Sequence, residues 1–233
     1  MEVDLTENKQ SLIAQSYLFR QVPEWQLKSL AQYAKTKLFK KREVVFRKGD
    51  LGTQMFIIVA GSVSLTTDSD EGKELTFGIL GPGDILGEIA MLDGGERTAT
   101  VKTIEPTEFL VIEKRDFVPF LEKNPKVAIT LLSTIASRVR AADELCEDNF
   151  FRNLPNRLAK RFIGLADNYG RETTGGTEIG MKLSQGDIGK LAGASRESVN
   201  KQLKVWEQDG LISMANGYIT IKEIERMEDL CEA

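Results

Sequence analysis

Between Leu38 and about Ile112 the apolar residues fall into short runs closed by glycine turns, the pattern of β-strands. The runs cover residues 43–46, 55–59, 62–66, 75–80 and 108–112. In Ser62-Val63-Ser64-Leu65-Thr66 apolar and hydroxyl side chains alternate strictly, which gives a strand one dry face and one wet face. Glycines at 49, 52, 61, 72, 81, 83 and 87 space the runs as in a sandwich or a rolled barrel. Ahead of them, residues 11–36 read as one or two short helices broken at Pro23.

After Pro125 the period becomes helical. Leu132, Ile135, Val139, Ala142, Cys146 and Asn149 are spaced 3, 4, 3, 4 and 3 apart, a heptad stripe flanked by Arg138, Arg140, Asp143, Glu144 and Glu147. Such a stripe either packs on the β domain or forms a parallel dimer seam in which polar Asn149 fixes the register. Residues 148–154 read as a hinge, with Asn153 capping a new helix and Pro155 in its first turn. That helix carries Leu158, Phe162 and Leu165, and residues 168–176 read as an exposed glycine- and threonine-rich loop.

The next segment has the punctuation of a helix-turn-helix. Ser184, with Asp187 three positions on, caps a helix that buries Ile188 and Leu191. Ala192-Gly193-Ala194 makes the turn, and Ser195 caps a second helix running from Arg196 to Gln208. Its inner stripe is Val199, Leu203 and Trp206, while Arg196, Glu197, Asn200, Lys201 and Lys204 point outward. The N-terminal end of such a helix enters the major groove. Arg196 suits guanine O6 and N7, Glu197 suits cytosine N4, and Lys201 suits guanine or phosphate. Residues 211–221 form a hairpin about Asn216-Gly217, a wing.

Composition narrows the chemistry. The chain has 233 residues, 41% hydrophobic and 28% charged, which suits two small globular domains. It has no histidine, and that removes His-ligated haem, imidazole zinc sites and Ser-His or Cys-His nucleophile pairs. Cys146 and Cys231 are too few for an iron–sulfur cluster, a four-cysteine zinc site or a disulfide framework. An enzyme such as a nucleotide hydrolase therefore lacks its catalytic groups, and no metal site is expected. The start Met1-Glu2-Val3-Asp4 does not fit a signal peptide, and the longest apolar run, 55–60, is too short for a bilayer. A cytoplasmic protein with no membrane partner is expected. The net charge is −4, yet residues 151–205 hold ten cations and five acids, 10 − 5 = +5, so the basic module sits where the helix-turn-helix is read.

The densest chemistry lies in residues 83–101. Gly87 lets the backbone approach a ligand, and the amides of Glu88, Ile89 and Ala90 begin a helix, which makes an anion site. Arg97 can grip the same phosphate, and Glu88 can accept from a ribose 2′-hydroxyl. The plainer alternative is a tight turn in which Glu88 and Arg97 pair with each other.

Gly87-Glu88-Ile89-Ala90 followed by Arg97-Thr98-Ala99 resembles the phosphate-binding cassette of the cyclic-nucleotide-binding domain, of pattern G-E-x-A, a spacer, then R-[ST]-A. The resemblance implies an antiparallel β-roll in which Glu88 holds the ribose. Arg97 and the Ile89 and Ala90 amides would hold the cyclic phosphate, and Thr98 the phosphate or base. With Ser195-Arg196-Glu197-Ser198-Val199, which resembles the family's recognition helix, nearly the whole chain resembles the cAMP receptor protein branch of the CRP/FNR regulators. Family members offer a Thr-Ser pair from the dimer helix to the adenine amino group. Alignment on Arg138, itself counted with the pocket, places Ala142 and Asp143 there. Ala142 cannot bond a base. Asp143, reaching from the partner subunit, can accept from adenine's amino group or from guanine N1 and N2, and a syn guanine can donate to Thr98. The implied effector is cAMP, with cGMP left open, and neither haem nor an iron–sulfur cluster is implied.

The fold class implied is α+β. It comprises a cyclic-nucleotide-binding β-roll over 1–126, a dimerisation helix and hinge over 127–152, and a winged helix-turn-helix over 153–233. The implied partners are a second copy of the chain, duplex DNA with palindromic TGTGA-like half-sites, and RNA polymerase, for which residues 168–176 are a candidate surface. Lys201 stands where the family usually has arginine. A CRP/FNR regulator that answers another small effector, or none, is the alternative reading.

Overall fold

The computed structural model describes residues 5–20, 22–68 and 74–232. Met1 to Asp4, Gly72 and the side chain of Asn149 fall outside that description, so the readings placed on them stay expectations. The chain divides into two compact units, Met1–Thr66 with Ile79–Ala141, and Thr67–Gly78 with Ala142–Ala233.

In the first unit, α1 (Leu5–Gln15) and α2 (Glu24–Tyr33) precede the strands, with Pro23 at the N-cap of α2. The helical region thus starts six residues earlier than its apolar period suggests and ends before Lys35, where β1 (Lys35–Phe39) begins. The other strands of this β-rich stretch are β2 (Val44–Phe46), β3 (Gln54–Ala60), β4 (Val63–Asp68), β5 (Glu74–Leu80), β6 (Ile85–Leu86), β7 (Thr100–Thr103) and β8 (Thr107–Glu113), the end of β4 and most of β5 counting with the second unit. They form two four-stranded sheets, ordered β1-β8-β3-β6 and β2-β7-β4-β5, whose registered pairs are antiparallel.

Strand β3 shows how the pattern builds the core. Met55 and Ile57 enter one apolar cluster with Leu110, Ile112, Phe117 and Leu27, whereas Phe56 and Ile58 enter another with Val63, Leu86, Val101 and Phe109. Successive side chains point to opposite faces, so a strand covered on both faces must be apolar throughout. Helix α3 (Glu88–Asp93) lies between β6 and β7 in the chain, and α4 (Lys114–Lys123) follows β8. The helical part of the chain therefore begins at Lys114 rather than after Pro125. Pro119 inside α4 hides it from a periodicity reading, although Phe117 and Phe120 are buried.

Helix α5 (Pro125–Phe151) buries Val127 and Leu131, and Ile135 packs against the same cluster. The rest of the heptad stripe stays open: Leu132 is 65% and Val139 56% exposed, and Ala142 and Cys146 are exposed too. Packing on the β domain thus accounts for Ile135 alone among the described stripe residues. The expected hinge over 148–154 shrinks to Arg152 and Asn153, because α5 stays helical through Phe151.

The second unit contains α6 (Leu154–Tyr169), β9 (Gly170–Thr173), β10 (Gly176–Ile179), α7 (Gln185–Ala192), α8 (Arg196–Gln208), β11 (Ile212–Ala215), β12 (Tyr218–Ile221) and α9 (Ile224–Glu232). Asn153 caps α6, its side chain accepting from the Asn156 amide at 3.0 Å. Leu158, Phe162 and Leu165 are buried as their spacing requires. Residues 168–176 are not a loop: α6 runs to Tyr169 and the rest is a hairpin in the sheet β11-β12-β10-β9. All of β9 is exposed, so no apolar alternation marks it as a strand. Among the described residues, no helix is long and apolar enough to cross a membrane.

Candidate functional site

The β6–α3–β7 segment is built as its residues demand. Gly87 caps α3 with φ 79°, a left-handed conformation that suits glycine, and the Met91 amide donates to the Gly87 carbonyl at 3.4 Å. Glu88, Ile89 and Ala90 form the first turn of α3, where helical geometry leaves amides without intrahelical acceptors. Arg97 lies on the connection to β7, its backbone clamped to the 49–51 turn. Its amide donates to Asp50 O at 2.8 Å, and its carbonyl accepts from Gly49 N at 3.0 Å.

The Arg97 side chain is only 5% exposed. Nη1 donates to the Gly87 carbonyl at 2.6 Å and Nη2 to the Gln54 carbonyl at 2.9 Å, so the guanidinium stands at the start of α3. Nε is buried with no hydrogen-bond partner. Burial presses the Arg97 pKa below the ordinary arginine value, against the opposing pull of Glu88 and Asp50. Glu88 is fully buried and pairs with Arg138 of α5, which also donates to the Ile85 carbonyl at 2.5 Å. One oxygen of Glu88, Oε2, has no partner. The plain Glu88–Arg97 pair is therefore not formed. Glu88 does have a cationic partner, and it is Arg138.

A buried cation with a free donor and a buried carboxylate with a free acceptor suit a ligand that carries both an anion and a hydroxyl. Thr98, next to Arg97, is exposed, and Ala142 and Asp143 are exposed on α5. Phe46, Gly52 and Gln54 also border the Arg97 guanidinium, through a ring, a bare backbone and a carbonyl respectively, so none of the three carries a cassette signature.

The helix-turn-helix takes the form its capping residues require. Ser184 and Asp187 make a full capping box on α7, and Gly193 turns the chain at φ 60°. Ser195 caps α8, its hydroxyl accepting from the Ser198 amide at 3.1 Å and lying 2.9 Å from the Ser198 hydroxyl. Both serines thus hold the helix start while remaining exposed. Val199, Leu203 and Trp206 are buried, and Arg196, Glu197, Lys201 and Lys204 are exposed. Asn200 departs from its expected outward placement. It borders the buried stripe, and its Oδ1 is out of solvent without a partner. The wing turns at Asn216 and Gly217 with φ of 54° and 86°, the positive values that a two-residue hairpin needs.

Residues 36–124 match the cyclic nucleotide-binding domain family, and residues 156–230 match the Crp-like helix-turn-helix domain family. The chain belongs to the CRP/FNR family of transcription regulators. A CRP-like cAMP-activated global transcriptional regulator of Mycobacterium tuberculosis is 28% identical over 216 residues, 93% of this chain and 96% of that one. A cyclic AMP receptor protein of Thermus thermophilus is 29% identical over 198 residues, 85% and 88% of the two chains. Among solved structures, the c-di-GMP responsive global regulator CLP of Xanthomonas campestris superposes with a TM-score of 0.72. It is 19% identical and covers 86% of this chain and 100% of that one, a likeness of fold alone. CRP/FNR proteins are DNA-binding regulators rather than enzymes, and this chain pairs their cyclic nucleotide-binding domain with their helix-turn-helix.

Proposed function

We propose that this CRP/FNR protein is a homodimeric, cytoplasmic regulator that binds palindromic TGTGA-like DNA when cAMP fills the β-roll, with cGMP as a second occupant. The observation that carries this is Arg97, a buried cation beside the start of α3 whose Nε has no partner. An uncompensated buried guanidinium is costly unless an anion completes it, and the cyclic phosphate is that anion. Glu88 Oε2 would accept from the ribose 2′-hydroxyl. Asp143 from the partner subunit would meet the base, and Thr98 the phosphate or a syn guanine. The cAMP-related names of the relatives favour adenine. Arg196 and Glu197 would read bases, Lys201 would take a base or phosphate contact and Lys204 a phosphate contact alone, and the exposed β9 hairpin would face RNA polymerase.

One observation favours an effector-independent regulator, namely that Arg138 already pairs with Glu88. Titration calorimetry with cAMP and cGMP, beside DNA binding with and without each nucleotide, separates the readings. Nucleotide-dependent binding to a TGTGA palindrome is expected. Equal DNA affinity with and without either nucleotide would leave a CRP/FNR regulator that answers another small effector, or none.

A further inference from the structure

Gly52 is buried, yet its φ lies outside the left-handed region, so backbone strain does not explain a glycine there. A Cβ at Gly52 would instead fall on Nε and Cζ of Arg97 and lie 2.8 Å from Nη1. The side chain of Arg97 therefore occupies the space that any other residue at position 52 would need. Phe46 supplies a second contact: the Arg97 Cζ lies 4.3 Å from the centre of its ring, within cation–π range. Phe46 is itself held by Phe56, with ring centroids 5.7 Å apart, and Phe56 by Phe109 at 5.7 Å. The Gly87 and Gln54 carbonyls fix Nη1 and Nη2. A ring, a bare backbone and two carbonyls thus determine where the guanidinium sits, and Nε is the donor they leave over.

Building on the reading of Arg97 as the phosphate ligand, we propose that Phe46 and Gly52 are positioning residues that preset the guanidinium for the cyclic phosphate. Neither touches the ligand. Each acts by denying Arg97 its other rotamers, so that binding needs little reordering of a long side chain. The ring also holds the cation in a poorly hydrated place, where an anion gains more from it than it would in water.

Gly52→Ala should weaken cAMP binding about tenfold or more, because the added methyl displaces a charged ligand group. Phe46→Leu should weaken it about three- to tenfold, and Phe46→Tyr should restore it, since either ring offers a π face. Adenosine, which lacks the phosphate, should bind all four proteins equally, whereas a merely structural role would lower both ligands together. The Nε–H resonance of Arg97 in ¹H–¹⁵N spectra of the ligand-free protein, assigned by its loss in Arg97→Lys, should shift or broaden in Gly52→Ala and Phe46→Leu. Parent-like cAMP affinity in both variants, or equal losses for cAMP and adenosine, overturns the cradle. Should the parent bind neither cAMP nor cGMP, the phosphate reading falls by itself. The Arg97 resonance then decides the cradle, and an unchanged signal in both variants refutes it.

Discussion

Arg97 and Glu88 are each buried with one polar atom unmatched, and the two atoms differ in kind: a donor on one and an acceptor on the other. Removing either side chain tests its role separately. Arg97→Ala should lower nucleotide affinity at least about tenfold, because a charge-assisted contact to the phosphate disappears. Calorimetry on the folded variant reads this, and unchanged affinity refutes the cassette assignment. Glu88→Ala should erase the preference for cAMP over its 2′-deoxy analogue, and surviving discrimination would give the carboxylate another role. The residues themselves were legible from Gly87-Glu88 and Arg97-Thr98-Ala99. The Arg138–Glu88 pair was not, because it joins side chains of α5 and α3 that lie fifty positions apart in the sequence.

At the scale of elements, the end of α5 is held by charge. Asp148 is 2% exposed and faces three cations: Arg152 Nε at 3.1 Å, Lys160 Nζ at 3.0 Å and Arg161 Nη2 at 3.8 Å. Burial lowers the Arg161 pKa, and Asp148 foremost, then Glu144, acts against that. Arg152 also donates to the Cys231 carbonyl, which ties α9 to the same point. This cluster explains why the expected hinge contracts to two residues. A pattern of 3 and 4 reports which faces are apolar, whereas a buried carboxylate that continues a helix leaves no such mark. The cations are partly exposed, so Asp148→Ala should destabilise the protein by about 2–4 kcal/mol, between the values for surface and buried pairs. Glu144→Ala, whose carboxylate is 57% exposed, should stay within about 0.5 kcal/mol. Urea unfolding of the full chain reads both, and equal effects would deny Asp148 its part.

Helix α8 gives the matching case for recognition. Arg196 stands at its exposed start and Lys204 in its third turn. Arg196→Ala should cost about 1–3 kcal/mol on a specific half-site and little on random duplex, whereas Lys204→Ala should weaken all sequences alike and flatten the salt dependence. Equal losses on specific and random DNA for Arg196→Ala would remove its base-reading role. This helix, its caps and its turn were legible almost residue by residue, because short-range capping rules govern them. Strands β1 and β9 were not, because nearly all of β1 and all of β9 lie open to solvent and show no alternation.

For the whole molecule the open question is what covers α5. Leu132, Val139, Ala142 and Cys146 repeat at heptad spacing and are exposed, an apolar seam left uncovered by the described residues. A parallel two-stranded pairing would bring each residue of the seam opposite its own twin. Cys146 is then the reporter. It is exposed, whereas burial pushes the Cys231 thiol above its ordinary pKa, with Arg152 and Lys160 pulling the other way. A raised pKa keeps Cys231 protonated at neutral pH and slow towards disulfide exchange, since the thiolate is the reacting form. Mild oxidation near neutral pH should therefore yield a dimer linked through Cys146 on a non-reducing gel. Raising the pH should increase the contribution of Cys231 only above the range of an ordinary thiol. Cys146→Ser should abolish the cross-link while sedimentation still shows a dimer. If Cys146→Ser cross-links as well as the parent, or if the parent sediments as a monomer, the seam on α5 does not join two copies of this chain.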